Sequence, residues 1–381
     1  MPVKCLISLA RQESVRHCNS FTGRRTMEVD VFLTLLIILL GPFFLSVLIT
    51  PFLRKIAIEN GLVDGLNERK IHLEAIPRVG GIAIAISFFT AVVLAYSLFH
   101  ADLAASISYL TGLCIGGALI FLIGLLDDIK GLNAPKKFAG QILSALALVP
   151  FGFLIKTLEI PFIGTVHLGF FFGIALTVFW VVAIINAFNL IDGMDGLSSG
   201  VAVIASITLA IFSILSGKLL MAIVLIAVLG STLGFLWHNW HPAKIFMGDC
   251  GAMFLGFLLA AVSIKTSYQG TTVNTIFVPV LALGLPIIDT IAAISRRLWH
   301  RKPLFSADKK HIHHKLLDAG FTVRQAALIL YYVCILLGVT ALVTTMVRSS
   351  IAVGIVIGVA LVASVGVIML GRKAEKSSPK M

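Results

Sequence analysis

Four polar residues recur at intervals of three in the segment NAFNLIDGMDGLSS: Asn186, Asn189, Asp192 and Asp195. A spacing of three keeps side chains close together on a helical surface. The segment follows an apolar run of membrane length, from about residue 168 to 185, so we expect it at the membrane–water boundary. Carboxylates this close repel each other and need water or a cation. An ordinary polar connection between two spans is the alternative, but it does not require this spacing.

Three more aspartates stand at the ends of apolar runs. Asp127 and Asp128 close the segment FLIGLLDD, and Asp249 opens GDCGAMFLGF. Adjacent helical residues point about a quarter-turn apart, so we expect only one of the pair to reach a shared metal. The alternatives are a solvated helix end for the pair and an N-cap for Asp249. Amide and carboxylate oxygens suit Mg²⁺, with Mn²⁺ as a substitute, and Asn189 with Asp249 fits the one or two carboxylates that Mg²⁺ takes.

Two basic segments have the composition for binding anions. The first holds Lys70 and His72 in GLVDGLNERKIHLEAIPRVGG. The second, HIHHKL, places three histidines in four positions near Arg297: His311, His313 and His314. Histidine clusters often bind zinc, but this spacing lacks the usual i, i+4 pair. We predict phosphate contacts, and positive charge required by topology alone is the alternative.

The composition is that of a polytopic membrane protein. The 381 residues are 58% hydrophobic and 13% charged, with a mean hydropathy of +1.02. The formal charge of +12 indicates affinity for anionic lipid and anionic substrates. No nucleic-acid partner is expected, because no basic region has interleaved aromatic residues. The five cysteines show neither a pairing pattern nor a metal-ligand spacing.

We predict an all-α integral membrane protein with about eleven transmembrane helices. The spans are placed near residues 31–53, 80–99, 105–126, 138–156, 166–186, 198–216, 219–237, 251–267, 273–294, 325–346 and 350–370. Most lysines and arginines fall in alternate connections, which the positive-inside rule makes cytoplasmic. The N-terminus is then outside and the C-terminus is cytoplasmic.

Every polar cluster falls on the cytoplasmic side of this topology, which favours an enzyme with its active site at that face. A transporter, the alternative class, would place ionisable groups near the bilayer midplane. Asp289 in GLPIIDT is the best candidate for such a group, and the preceding Pro286 could break its helix. Asp289 could equally line the active-site cleft.

Taken in order, the motifs resemble those of the polyprenyl-phosphate N-acetylhexosamine-1-phosphate transferases, the membrane family that starts bacterial envelope glycans. The resemblance covers about residues 61–321: VDxxxxRKxH, LLDD, NAFNLIDGMDGL, FMGD and HIHHKL. The HIHH form is similar to the branch that uses UDP-N-acetylglucosamine. The muramoyl-pentapeptide branch usually has an uninterrupted run of three histidines, which Ile312 breaks here.

The resemblance implies transfer of N-acetylglucosamine-1-phosphate from UDP-N-acetylglucosamine to undecaprenyl phosphate. UMP is released, and the lipid-diphospho-sugar starts an O-antigen, common-antigen or teichoic-acid polymer. Another UDP-N-acetylhexosamine or UDP-MurNAc-pentapeptide is the alternative donor. The implied location is the bacterial inner membrane, with both substrates and membrane lipid as partners and a homodimer as an open option.

The resemblance also implies residue roles. Mg²⁺ would be held by Asn189 and Asp249. Catalytic aspartates beside the lipid phosphate, the nucleotide and the metal shell are implied at Asp127, Asp128, Asp192 and Asp195. Substrate-binding residues are implied at Lys70, His72, Asn186, Arg297, His311, His313 and His314. The chain then divides into an N-terminal tail at 1–30, with Met27 expected as the true start, a transmembrane transferase domain at 31–371 and a basic tail at 372–381.

A phosphate monoester has a second pKa near ~6, so the lipid acceptor is mostly ionised at neutral pH. Positioning and charge neutralisation therefore matter more than a strong base. We favour direct attack on the β-phosphorus, with Asp127 or Asp128 taking a residual proton. A covalent aspartyl-phosphate route is the alternative.

Overall fold

A computed structural model describes residues 33–62, 76–98, 107–160, 163–267, 277–299, 301, 311–359 and 361–362. Its helices are α1 (Leu33–Glu59), α2 (Gly81–Leu98), α3 (Ile107–Lys130), α4 (Ala134–Leu146), α5 (Phe170–Ile191), α6 (Leu197–Leu215), α7 (Leu219–Asn239), α8 (Gly248–Ser267), α9 (Phe277–Ala282), α10 (Gly284–Trp299), α11 (Ile312–Asp318), α12 (Val323–Met346) and α13 (Ser349–Val359). A short antiparallel hairpin of β1 (Thr157–Ile160) and β2 (Gly164–His167) follows α4.

Within the described ranges, eight helices are long and apolar enough to cross a membrane: α1, α2, α3, α5, α6, α7, α8 and α12. These helices confirm the prediction of an α-helical polytopic membrane protein. A small β-hairpin, which the all-α prediction did not include, connects α4 to α5. The orientation in the membrane stays a prediction, and the proposed tails at 1–30 and 372–381 lie outside the described residues.

Two of the predicted spans take another form, and a third is described only in part. In place of one span at 138–156, the 13-residue α4 is followed by a 3-10 turn at Val149–Phe151. At 1.5 Å per residue, α4 is about 20 Å long, less than the roughly 30 Å of a hydrocarbon core. The span predicted at 273–294 breaks at Leu283 between α9 and α10, because Pro286 has no N–H for the Ala282 carbonyl. The last predicted span is described only to α13 and residues 361–362, so the count of eleven stays a prediction.

Helix α8 is the centre of the bundle. Its apolar side chains from Ala252 to Val262 are fully buried, and it packs against α2, α3, α5, α6 and α7. Close approach requires small residues at the crossings. Gly124 of α3 is one of them, since a Cβ there would lie 2.5 Å from the Cα of Cys250. This contact sets the C-terminal end of α3 directly beside the N-terminal end of α8.

A short backbone ladder fixes the start of α2 in the same place. The N–H groups of Gly80 and Gly81 donate to the carbonyls of Phe246 and Met247, at 2.9 and 2.8 Å. The Phe246 N–H donates in turn to the Pro77 carbonyl at 2.8 Å. The ends of α2, α3 and α8 are therefore held together at one end of the bundle.

Candidate active site

A cavity of about 880 Å³ opens where these helix ends meet. Its carboxylates come from α3, the α5–α6 connection and α8, which are far apart in the sequence. The charged and imidazole-bearing residues that line it are Arg78, Asp127, Asp128, Lys137, Asp192, Asp195, His241, Asp249 and His314. The structure thus brings all five predicted acidic site residues into one cavity.

Asp128 holds the N-terminal end of α8. Its Oδ1 accepts the N–H of Asp249 at 2.8 Å, and its Oδ2 accepts the N–H of Cys250 at 2.9 Å. These N–H groups have no partner inside the helix, and the helix dipole favours a carboxylate there. The close approach of the Asp128 carboxylate and the Arg78 carbonyl requires glycine at Gly248, since its φ is +73° and a Cβ there would overlap the Arg78 carbonyl. Both Asp128 oxygens are therefore used in positioning Asp249.

Asp127 and Asp249 face each other across an ammonium group. The Nζ of Lys137 lies 2.5 Å from Asp127 Oδ2 and 2.5 Å from Asp249 Oδ2. The other Asp127 oxygen accepts the Leu132 N–H at 2.6 Å. Asn189 Nδ2 donates to Asp249 Oδ1 at 2.5 Å. Asp127 thus faces Asp249 while its neighbour Asp128 binds the start of α8, and the expectation that only one of the two reaches a shared metal stays a prediction.

The charges in the cavity shift the pKa values of its groups. Burial, with the Asp249 and Asp128 carboxylates nearby, raises the pKa of Asp192 well above its ordinary value, although Arg78 acts in the opposite direction. Burial by itself would lower the pKa of Lys137, but its two carboxylate partners outweigh that effect and raise it. These shifts favour the charged form of Lys137 and the neutral form of the Asp192 carboxyl group.

Asp195 connects the α5–α6 turn to the loop after α7. Its Oδ2 accepts from His241 Nδ1 at 2.7 Å and from the Ala243 N–H at 3.1 Å. Arg324 of α12 donates to the His241 carbonyl at 3.1 Å. Sequence reasoning missed both His241 and Lys137 as site residues. The dipeptide His241–Pro242 beside the FMGD motif and the Lys136–Lys137 pair after LLDD were the available signals.

The three histidines of HIHH occupy different environments. His314 lines the cavity, whereas His311 and His313 are buried behind it. His311 Nδ1 pairs with Asp289 Oδ2 at 2.8 Å, and His313 packs against Gly193. Burial, with His314 and His311 close by, lowers the pKa of His313 to about 4, so it is neutral at neutral pH.

Of the other predicted substrate-binding residues, Asn186 and Arg297 are described by the structure and are not among those that line the cavity. Asn186 lies deeper, where its Nδ2 donates to Gln141 Oε1 at 2.6 Å and to the Val182 carbonyl at 2.8 Å. Arg297 is partly buried in the last turn of α10. Lys70 and His72 lie outside the described residues. The roles of these four residues stay predictions.

The donor set fits a hard divalent ion. Among the residues that the structure describes, no three His, Cys, Asp or Glu side chains are grouped to hold a metal by themselves. Mg²⁺ does not need such a group, since it takes one or two carboxylates and completes its shell with water and substrate phosphates. Asp249 and Asn189 are in contact and supply such oxygens once the Asn189 amide turns its oxygen toward the cavity. Mg²⁺ as cofactor stays a prediction.

The bundle consists of membrane-length helices, and at one end it has a cavity in which a lysine bridges two carboxylates. These features define a polytopic membrane protein with a polar site for charged ligands. Comparison with known families narrows this class. The model of glycosyl transferase family 4 matches residues 110–267, from α3 to the end of α8. The chain belongs to this family, as its relatives also show.

Three relatives cover most of the chain. The probable undecaprenyl-phosphate N-acetylglucosaminyl 1-phosphate transferase of Bacillus subtilis is 39% identical over 78% of this chain and 81% of its own length. The decaprenyl-phosphate N-acetylglucosaminephosphotransferase of Mycolicibacterium smegmatis is 38% identical over 74% of this chain and 75% of its own. The undecaprenyl-phosphate alpha-N-acetylglucosaminyl 1-phosphate transferase of Escherichia coli K12 is 33% identical over 76% and 78%.

Proposed function

We propose that this protein transfers N-acetylglucosamine-1-phosphate from UDP-N-acetylglucosamine to a polyprenyl phosphate. Three relatives are named as transferases of this sugar phosphate to a polyprenyl phosphate, and they cover about three quarters of the chain. The observation that carries the proposal is the meeting of Asp127, Lys137, Asn189, Asp192 and Asp249 in one cavity at the end of membrane-length helices. A lipid-borne phosphate and a water-soluble nucleotide can meet only at such a boundary.

The reaction exchanges one phosphoanhydride bond for another. An oxygen of the lipid phosphate forms a bond to the β-phosphorus of the nucleotide. The bond from that phosphorus to the bridging oxygen breaks, and UMP leaves with the electron pair. The products are UMP and a lipid-diphospho-sugar, so the step needs no oxidant and no second nucleotide.

The chain's own residues supply charge and alignment. Lys137 places a cation between Asp127 and Asp249, where it would face the oxygens of a bound phosphate. Asp127 has one oxygen on Lys137 and the other on a backbone N–H, and it would take a residual proton from the acceptor. Asp128 keeps the start of α8 in place. Mg²⁺ held by Asn189 and Asp249 would neutralise the diphosphate and polarise the β-phosphorus.

The contacts of Asp127 and Asp128 disfavour a covalent route through either residue. An aspartyl nucleophile needs a carboxylate oxygen that can reach phosphorus. Asp128 has both oxygens on backbone N–H groups, and Asp127 has both oxygens engaged as well. Direct attack by the lipid phosphate, which is already ionised, does not need a carboxylate oxygen to form a bond to phosphorus. We therefore retain one-step transfer as the proposed mechanism.

The transporter alternative rested on Asp289 as a buried ionisable group. Both oxygens of Asp289 are bound inside the protein, by His311 and by the Ile312 N–H. A carboxylate held in this way offers no free oxygen to a passing ion. The described structure therefore contains no observation that favours transport.

Several finer points belong to the proposal. The relatives are named for undecaprenyl or decaprenyl phosphate, so the acceptor is proposed as a long polyprenyl phosphate with undecaprenyl phosphate preferred. UDP as the nucleotide rests on the motif resemblance. The bacterial inner membrane is the proposed location, because the lipid acceptor and the cytoplasmic nucleotide are both available there. A homodimer stays a prediction from the sequence.

Purified protein in detergent tests the function directly. With UDP-N-acetylglucosamine, undecaprenyl phosphate and Mg²⁺, we expect release of UMP and formation of a lipid product that retains the sugar. Omission of the lipid and addition of EDTA are the two controls, and each should abolish UMP release. Asp249→Asn protein supplies the matched inactive variant. Absence of UMP from the complete mixture, with folded protein, would refute the proposal.

A further inference from the structure

We propose that Asp289 is a positioning residue that acts through His311 and His313 to set His314 in the cavity. The inference rests on the proposed function and assigns a task to a residue that lies outside the cavity. Asp289 lies in α10, and only 2% of its surface is exposed. Two layers of imidazole separate it from the substrate space.

Asp289 uses both of its oxygens on the same short segment. Its Oδ2 is 2.8 Å from His311 Nδ1, and its Oδ1 accepts the Ile312 N–H at 2.9 Å. A carboxylate accepts in both contacts, so the His311 Nδ1 carries a proton. This arrangement fixes the ring orientation of His311, as a carboxylate does for a histidine in many catalytic and metal sites.

The His311 ring then supports the next two histidines. The rings of His311 and His313 are parallel within 4°, with centroids 5.9 Å apart. The centroids of His313 and His314 are 4.3 Å apart. His313 is 2% exposed, and its neighbour across the site is Gly193, where a Cβ would lie 2.8 Å from its Nε2. The buried pair thus fills the space between α10 and the α5–α6 turn.

His314 is the member of this row that reaches the cavity. Its place depends on the two rings behind it, because packed side chains transmit displacement with little slack. Loss of the Asp289 carboxylate would free the His311 ring to rotate and the N-terminal end of α11 to shift. We therefore expect the contact of His314 with the sugar nucleotide to weaken, while the lipid phosphate keeps its other partners.

The alternative is that Asp289 serves stability alone, as a buried group that joins α10 to α11. The two roles differ in kinetics. A purely structural loss reduces the fraction of active protein, so kcat falls in proportion and both KM values are unchanged. A positioning role raises the KM for UDP-N-acetylglucosamine and leaves the KM for the lipid unchanged.

The test compares Asp289→Asn with Thr290→Val. Thr290 is the next residue on α10, and within the described part of the chain its buried hydroxyl makes no hydrogen bond, so this control loses no polar contact. For Asp289→Asn we expect the KM for the sugar nucleotide to rise about tenfold, the effect of one lost hydrogen bond. For Thr290→Val we expect both KM values to match those of the unaltered protein. Unchanged KM values in Asp289→Asn, with or without a lower kcat, would overturn the proposal.

A second comparison keeps the proposal testable if the Asp289→Asn protein folds poorly. His314→Ala removes the group on which Asp289 is proposed to act, so Asp289→Asn should add no further rise in the nucleotide KM on that background. Independent effects of the two changes would overturn the proposal. Calorimetric measurement of UDP-N-acetylglucosamine binding to the unaltered protein distinguishes failure of the proposed function from failure of the proposed role of Asp289. If the unaltered protein neither binds nor consumes the nucleotide, the proposed function fails; if it does both, only the role of Asp289 is in question.

Discussion

Replacement of Asp128 by asparagine isolates the contribution of the carboxylate that holds the start of α8. Asparagine keeps one acceptor oxygen and presents an NH₂ group where the second oxygen stood. One of the two backbone N–H groups, at Asp249 or Cys250, then faces another donor. A charge-assisted hydrogen bond contributes about 1.5–3 kcal/mol, and a carboxylate at a helix N-terminus adds about 0.3–1 kcal/mol. We expect the free energy of unfolding to fall by about 3 kcal/mol.

This loss should be visible in both stability and activity. At about 2 °C per kcal/mol, a loss of about 3 kcal/mol in the free energy of unfolding lowers the melting midpoint in detergent by about 6 °C. A shift of about 1 Å at Asp249 would reduce UMP release roughly 100-fold, since misplacement by that distance disrupts alignment of the reacting atoms.

Asp127→Asn is the matched control for this experiment. It removes the same charge from the adjacent position, but it leaves both N–H contacts at the start of α8 intact. We expect it to lower UMP release while the midpoint falls by less than half as much as in Asp128→Asn. Equal midpoints in the two variants, or an active and stable Asp128→Asn protein, would refute the assignment of Asp128 to the helix end.

Three further predictions concern other parts of the site. Lys137→Met leaves two facing carboxylates without their cation, so UMP release should fall about 100-fold; retention of activity would contradict the bridging role. Gly248→Ala should abolish activity and lower the yield of folded protein, because the new Cβ meets the backbone carbonyl of Arg78. Gly217→Ala is the control: its φ of +69° is similar, but no atom lies within 4 Å of the new Cβ, so it should cost only about 1–2 kcal/mol of stability. His313 should make the fold sensitive to acid. Above pH 6.5, its pKa in the unfolded chain, the imidazole is neutral in both the folded and the unfolded state. As the pH falls toward about 4, only the unfolded chain takes up the proton, so the folded state loses stability. The free energy of unfolding should drop by up to about 3 kcal/mol over that range, and His313→Gln should flatten the acid side of a melting-midpoint profile.

Membrane class and chemistry could be predicted from sequence because both depend on local properties. Hydropathy over about 20 residues identifies a span whatever the span packs against. The motifs around Asp127, Asn189, Asp192 and Asp249 indicated one acidic site, and the structure places all four side chains in one cavity. Span limits were less predictable where local structure interrupts an apolar run, as at Leu283 and at the short α4.

The sequence did not distinguish the three histidines of HIHH. They were predicted together as an anion-binding surface, but His314 alone of the three lines the cavity, and His311 is paired with Asp289. The partners of that pair are 22 residues apart and meet only because α10 and α11 fold against each other. No spacing rule within one helix could have found them.

The sequence by itself determined that this chain is a multi-pass membrane protein of glycosyl transferase family 4 with its acidic groups at helix ends. Only the tertiary structure decided that Asp128 holds α8, that Lys137 bridges Asp127 and Asp249, and that Asp289 lies behind the histidines. The physical reason is rotation about the helix axis. Side chains advance about 100° per residue, and helices such as α3 and α8 are apolar on every side, so hydropathy does not indicate which face meets which neighbour. Close packing at small residues such as Gly124 makes that choice.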